Sequence, residues 1–192
     1  MTILVRMPRS GLSNVGAMLV AVLSSVVAPR DALAWHEHSH SVDDVTNARI
    51  LCISEAAAQR FAAALQACDL AFQSEPDRAE ILSNRGVARL MLGDAARAVQ
   101  DFSAAIDRAP GHPLHYYNRA LVEEQLGEWR AALADYSTAI TRAPGMAIAF
   151  NNRGLAFERL GDQTAAKADY ARATELDPGL KAAAQNLARL SR

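Results

Sequence analysis

Three histidines, His36, His38 and His40, alternate along the segment 35–44, which also holds Glu37, Asp43 and Asp44. Imidazoles two apart on an extended chain could hold copper or zinc loosely, without closing a site. The competing reading is a solvated tail. Cys52 and Cys68 are the only cysteines, and no C-x-x-C is present, so redox catalysis is not expected. His112 and His115 sit near a turn and read as packed or solvent-facing rather than catalytic. The chain has no phosphate loop, no serine nucleophile elbow and no H-E-x-x-H pair. Its carboxylates follow a regular spacing, which makes a paired-carboxylate hydrolase a forced reading. A non-enzymatic protein without a cofactor is expected.

Composition agrees with that expectation. The 192 residues carry a formal net charge of -1, with 51% hydrophobic, 21% charged and 6% aromatic residues. That much apolar content excludes wholesale disorder and is enough for a core. The balanced charge argues against a protein built to hold nucleic acid. So few aromatics argue against a sandwich or barrel.

The first 34 residues read as a separate segment. Arg6 and Arg9 open it, 11–28 carries no charge, and Ala32-Leu33-Ala34 closes it with small residues. This is the layout of a secretory signal peptide, whose apolar helix leaves water for the translocation machinery. An uncleaved membrane anchor is the alternative, weakened by Ser13, Asn14, Ser24 and Ser25. Cleavage after Ala34 leaves a chain from Trp35 with a net charge near -3, expected in the periplasm or secreted. An anchored form would face the same side from the inner membrane. A membrane partner is expected only if the leader stays.

From residue 45 onward a period of 34 residues organises the chain. Pro76, Pro110, Pro144 and Pro178 keep it, as do Gly93, Gly127 and Gly161. Ala98, Ala132 and Ala166 form another series, and Phe102, Tyr136 and Tyr170 an aromatic one, with Cys68 one period earlier. Small and apolar residues return every three or four positions, the mark of one helix face. The glycines permit a tight turn after a first helix, and the prolines end a second. A repeat of this length means a solenoid of helix pairs, each burying its apolar face against the next.

These residues resemble the tetratricopeptide repeat family. The clearest unit is 147–180, where Phe150, Gly154, Phe157, Leu160, Gly161, Ala166, Tyr170, Ala173 and Pro178 match the family pattern in order. The units are 45–78, 79–112, 113–146 and 147–180, the first degenerate, with Gln59 at the turn glycine's place. Residues 181–192 read as a capping helix, and 35–44 as a flexible His-rich linker. The resemblance implies an all-α fold, a right-handed superhelical solenoid of stacked antiparallel helix pairs. It also implies a protein-protein interaction scaffold or adaptor, which the leader pattern of 1–34 would make one of an exported bacterial type.

Within such a unit, positions 7 and 23 lie at similar heights on the two helices. That pairs Arg85 with Asp101, Arg119 with Asp135 and Arg153 with Asp169. The first unit has Leu51 and Ala67 there, so both partners are absent together. Cys52 and Cys68 face each other in the same way, as a disulfide or as two small core thiols.

The resemblance places a concave groove along the first helices. Its lining would include Asn84, Val87, Leu114, Tyr117, Asn118, Leu121, Ile148, Asn151, Asn152 and Leu155. Asparagines can donate to and accept from an extended peptide backbone; their other reading is to order helix stacking. The family's basic clamp for acidic chaperone tails is not matched. Ser83, Val87 and Ile148 stand at its places in one register, and Ile53 and Leu114 in the other. The expected partner is therefore a protein or peptide of another kind. The alternative is a structural partner docked on the outer face or on an end of the solenoid.

Overall fold

The computed structural model describes residues 3–6, 18–21 and 42–192. The histidines His36, His38 and His40 and most of the expected leader lie outside the described residues. Within residues 1–34, β1 (Ile3–Arg6) and β2 (Met18–Ala21) form a two-stranded sheet, and β2 falls in the uncharged stretch where the sequence suggested an apolar helix. Three of the four residues in each strand are Ile, Leu, Val or Met, with Arg6 and Ala21 at the ends.

One unit contains four helices: α1 (Val42–Ala57), α2 (Phe61–Ser74), α3 (Ala79–Met91) and α4 (Ala95–Arg108). α1 packs on α2, α2 on α3 and α3 on α4, giving two stacked helix pairs. α1 starts at Val42, so the last residues of the expected flexible linker are helical. The other unit holds α5 (Pro113–Gln125), α6 (Trp129–Arg142), α7 (Ala147–Arg159), α8 (Gln163–Leu176) and α9 (Lys181–Leu190). Here α5–α6 and α7–α8 are the pairs, stacked through α6 on α7, and α9 packs on α8. The described residues thus form stacked antiparallel helix pairs ending in a single helix.

The second helix of every pair presents the same buried stripe. Ala98, Phe102 and Ala105 on α4 are fully buried, as are Ala132, Tyr136 and Ala139 on α6 and Ala166, Tyr170 and Ala173 on α8. The small residues let the first helix come close, and the ring fills the gap between them. At Gly86 an added Cβ would lie 3.0 Å from the Phe102 ring, and at Gly154 it would lie 2.7 Å from Tyr170.

Each pair turns through the same hydrogen-bond motif. Asp94 N reaches Arg89 O at 2.8 Å and Gly93 N reaches Leu90 O at 3.0 Å, closing the last carbonyls of α3. The motif needs one residue in the left-handed region, supplied by Gly93, Gly127 and Gly161 at φ of 90°, 80° and 87°. In the first pair Gln59 takes that conformation at φ 60°. Asp162 then caps α8 by accepting from Ala165 N at 2.9 Å.

Candidate functional site

The repeated arginines reach across their own helix pairs. Arg85 on α3 donates to Asp101 on α4 at 2.6 and 3.1 Å, and Arg89 adds a bond of 2.7 Å to the same carboxylate. Asp101 is 2% exposed, so water offers it little replacement. Arg119 meets Asp135 through two bonds, at 2.6 and 2.9 Å. Arg153 meets Asp169 through two at 2.8 Å. Two of these guanidiniums also reach back to the preceding second helix. Arg85 lies 3.5 Å from Asp69 on α2, and Arg153 donates to Ser137 on α6 at 3.2 Å. Each joins three helices with a planar fork of donors, a task that a lysine point charge would not match. With both members engaged by one another, these charges hold the stack rather than a ligand.

Cys52 and Cys68 are bonded, with sulfurs 2.11 Å apart and Cα atoms 4.6 Å apart. Both are fully buried beside Ala48, Ala71 and Ile81.

The amides do not form an open face. Asn84, Asn118, Asn152, Val87 and Tyr117 are fully buried, and Leu121 and Asn151 nearly so. Leu114, Ile148 and Leu155 are half-buried. Asn84 Nδ2 donates to Glu80 O, one turn back, at 2.9 Å. In the α5–α9 unit the amides link successive first helices. Asn152 Nδ2 donates to Tyr117 Oη at 3.1 Å, joining α7 to α5. Asn186 Nδ2 donates to Asn151 Oδ1 at 3.1 Å, joining α9 to α7. Asn151 Nδ2 donates in turn to Asn152 Oδ1 at 3.0 Å. A buried amide left without partners is costly, and these donors are spent on stacking.

A further polar couple escaped the sequence reading. Tyr136 Oη donates to Glu124 Oε2 at 2.7 Å, and Tyr170 Oη donates to Glu158 in the next pair. Glu124 and Glu158 are one period apart, as are their tyrosines; where the ring is Phe102, the matching position is Leu90. That covariation within the repeat was the available signal. Burial pushes the Glu124 carboxyl up to about 7, while the Tyr136 hydroxyl and Arg159 pull the other way. Burial pushes Tyr136 well above the usual phenol range, and the charge of Glu124 adds to it. Glu158, held first by its bonds from Arg189, lies below the usual carboxylate value.

The His112 and His115 rings stack with centroids 4.5 Å apart. His115 is 1% exposed, and burial, with the charge of His112, lowers it to about 4. It is a neutral packed side chain at neutral pH. Among the described residues no three side chains of the metal-binding kinds come together. No helix among them is long and apolar enough to cross a membrane.

The pattern of the tetratricopeptide repeat family matches residues 53–113 and 117–181. Among solved structures, MamA from Desulfovibrio magneticus RS-1 is 23% identical, with a TM-score of 0.71 over 78% of this chain and 84% of that one. The first repeat domain of Spaghetti (RPAP3), bound to an HSP90 peptide, is 27% identical, with a TM-score of 0.58 over 59% of this chain and 90% of that one. YrrB, a repeat protein with an unusual peptide-binding site, is 14% identical, with a TM-score of 0.67 over 75% of both chains. No curated protein matches the chain. The likenesses to MamA and YrrB concern the fold alone. With both family matches falling on the helix pairs described above, the chain belongs to the tetratricopeptide repeat family.

Proposed function

We propose that this chain is a non-enzymatic scaffold that binds a polypeptide segment along its first helices, on the exported side of a bacterial envelope. One observation carries the binding reading. The repeat domains of RPAP3, 27% identical to this chain, are seen with HSP90 and HSP70 peptides. Leu114 on α5 and Ile148 and Leu155 on α7 remain partly exposed on the corresponding helices here. They favour an apolar segment. Ser83, Val87 and Ile148 stand where a basic clamp would need charge, which argues against an acidic chain terminus as ligand. Buried Asn151 and Asn152 support the site from behind by linking α7 to α9 and to α5. The exported location rests on the 1–34 leader pattern and accords with the Cys52–Cys68 bond, which oxidising compartments sustain.

The binding test is an array of extended peptides scanned with the folded protein, followed by anisotropy on the strongest sequences. Leu155→Glu and Ile148→Glu should abolish binding while circular dichroism stays unchanged; unchanged affinity would remove these helices as the site. Location is tested separately by amino-terminal sequencing of the native protein. A start at Trp35 supports cleaved export, and an intact leader in the membrane fraction supports the anchored form.

A further inference from the structure

The helix pairs differ in what holds each of them together. Apart from Cys52 and Cys68, the buried hydrophobic residues described on α1 and α2 are alanines and Ile53. Phe61, Leu65 and Phe72 are only partly buried. Buried alanines remove little apolar area from water. Each later pair adds a buried ring and a bonded ion pair: Phe102 with Arg85–Asp101, Tyr136 with Arg119–Asp135, and Tyr170 with Arg153–Asp169. In the first pair Arg49 and Glu75 stand 3.9 Å apart, each about a quarter exposed, and such a contact contributes little. Its turn carries strain as well, with Gln59 at φ 60°. The bond between Cys52 and Cys68 is therefore the main tie between α1 and α2.

The same bond lies where the first pair meets α3. Ile81 of α3 is buried in one cluster with both cysteines. The Arg85 guanidinium lies 3.8 Å from the centroid of the Phe72 ring on α2. Asp69, also on α2, stands 3.5 Å from Arg85 and 3.6 Å from Arg89. Both arginines keep shorter bonds to Asp101 inside the α3–α4 pair, at 2.6 and 2.7 Å, and Phe102 stays over Gly86. Loss of order in α1 and α2 would uncover Ile81 and one side of Arg85 without dissolving α3–α4. Repeats held by contacts with their neighbours can melt up to such a seam and stop there.

We propose that the first helix pair is a redox-gated element, ordered on α3 while Cys52 and Cys68 are joined and melted once their bond is opened. The reductant is a dithiol, which gives two electrons and two protons. The sulfur–sulfur bond breaks, two thiols form, and the dithiol closes to a disulfide. Exchange with an oxidised dithiol runs the step in reverse. Both cysteines are fully buried, so an attacking thiolate reaches them only after the pair has opened. Two free thiols pack as small hydrophobes and do not replace the tie. In a reducing compartment α3 is then the first ordered helix of α1–α9, and an oxidising one adds the first pair. This device is separate from peptide binding along the first helices and does not depend on it.

The test is hydrogen exchange on the full chain, oxidised and after reduction with dithiothreitol, with the thiols counted by iodoacetamide labelling. In the reduced protein the amides of α1 and α2 should exchange at least about a hundredfold faster, and those of α4, α6 and α8 less than about threefold faster. Trypsin should then cut after Arg49, which the oxidised chain protects. Removal of dithiothreitol and addition of its oxidised form should restore the protection. Cys52→Ala with Cys68→Ala supplies the bondless state without a reductant, and should match the reduced chain whether or not dithiothreitol is present. Protection of α1 and α2 that survives in the fully labelled or the double-alanine protein would overturn the proposal. So would a loss of protection spread evenly over α1–α9, since the bond would then hold the whole chain rather than gate one pair.

Discussion

In α1–α2 a bond between Cys52 and Cys68 joins the helices at the level where the later pairs lay an aromatic ring over a small residue. Phe102 covers Gly86, and Tyr170 covers Gly154, sixteen residues apart in each case, as the cysteines are. One position earlier, the first pair has Leu51 and Ala67 where the others have arginine and aspartate. Its turn uses Gln59 in a left-handed conformation that glycine fills elsewhere. The first pair has thus given up the ring, the ion pair and the glycine, and a covalent bond stands in their place. The lesson is that the close approach of the two helices is what every unit must secure. The chemistry that secures it is interchangeable.

Breaking the buried ion pair of the second helix pair, α3–α4, should give the largest effect. Asp101→Ala leaves Arg85 and Arg89 only the longer contacts to the exposed Asp69, at 3.5 and 3.6 Å, and should cost about 3 kcal/mol in urea unfolding. Replacing Arg85 and Asp101 together with leucines should cost clearly less, since the more buried guanidinium leaves with its carboxylate and Arg89 keeps Asp69 at 3.6 Å. If the single and double variants lose equally, the pairs are not held as described.

The covalent counterpart comes next. Cys52→Ala with Cys68→Ala removes a cross-link over sixteen residues and should cost about 3 kcal/mol by loop entropy. Hydrogen exchange should then rise first in α1 and α2, and much less in α7 and α8. A uniform rise along the chain would contradict the idea that the bond serves the first pair.

The tyrosine–glutamate couple, absent from the first two pairs, should show in the pH profile. Glu124 in the folded protein sits at about 7, above its ordinary value of 4.5. The folded state therefore holds a proton that the unfolded chain releases. Stability from this group is full below about 4.5 and declines as pH rises through 7. Glu124→Gln should match the parent near the acid end and exceed it at pH 8 by on the order of 2 kcal/mol. Urea melts at both pH values decide it; a constant difference would place the charge elsewhere. His115, lowered to about 4, works in the opposite direction and is unchanged between the two proteins.

The smallest effect concerns the turn. Gln59→Gly should stabilise the first pair by roughly 1 kcal/mol, because glycine enters the left-handed region without the Cβ penalty. Gly161→Ala should destabilise by a similar amount for the same reason. A loss at Gln59→Gly would mean that its side chain contributes more than its backbone costs.

Much of this architecture was legible as a period of 34. Proline, glycine, alanine and aromatic series all record backbone requirements that recur with each helix pair, so counting recovers them. The arginine and aspartate spacing belongs to the same class, since one turn length brings position 7 opposite position 23. The asparagines show the limit. Their recurrence was visible, but recurrence alone cannot separate an amide facing a ligand from one facing the next helix. Asn152 settles on Tyr117, and Asn186 on Asn151, through contacts between helices 35 residues apart.

The sequence by itself therefore determined the helix pairs, their turns and the absence of familiar catalytic motifs, because each rests on local spacing. Tertiary structure alone decided that the cysteines are bonded and the amides buried. It also decided that Glu124 lies against Tyr136. Those outcomes depend on how far one helix stands from another, a distance that no residue spacing encodes.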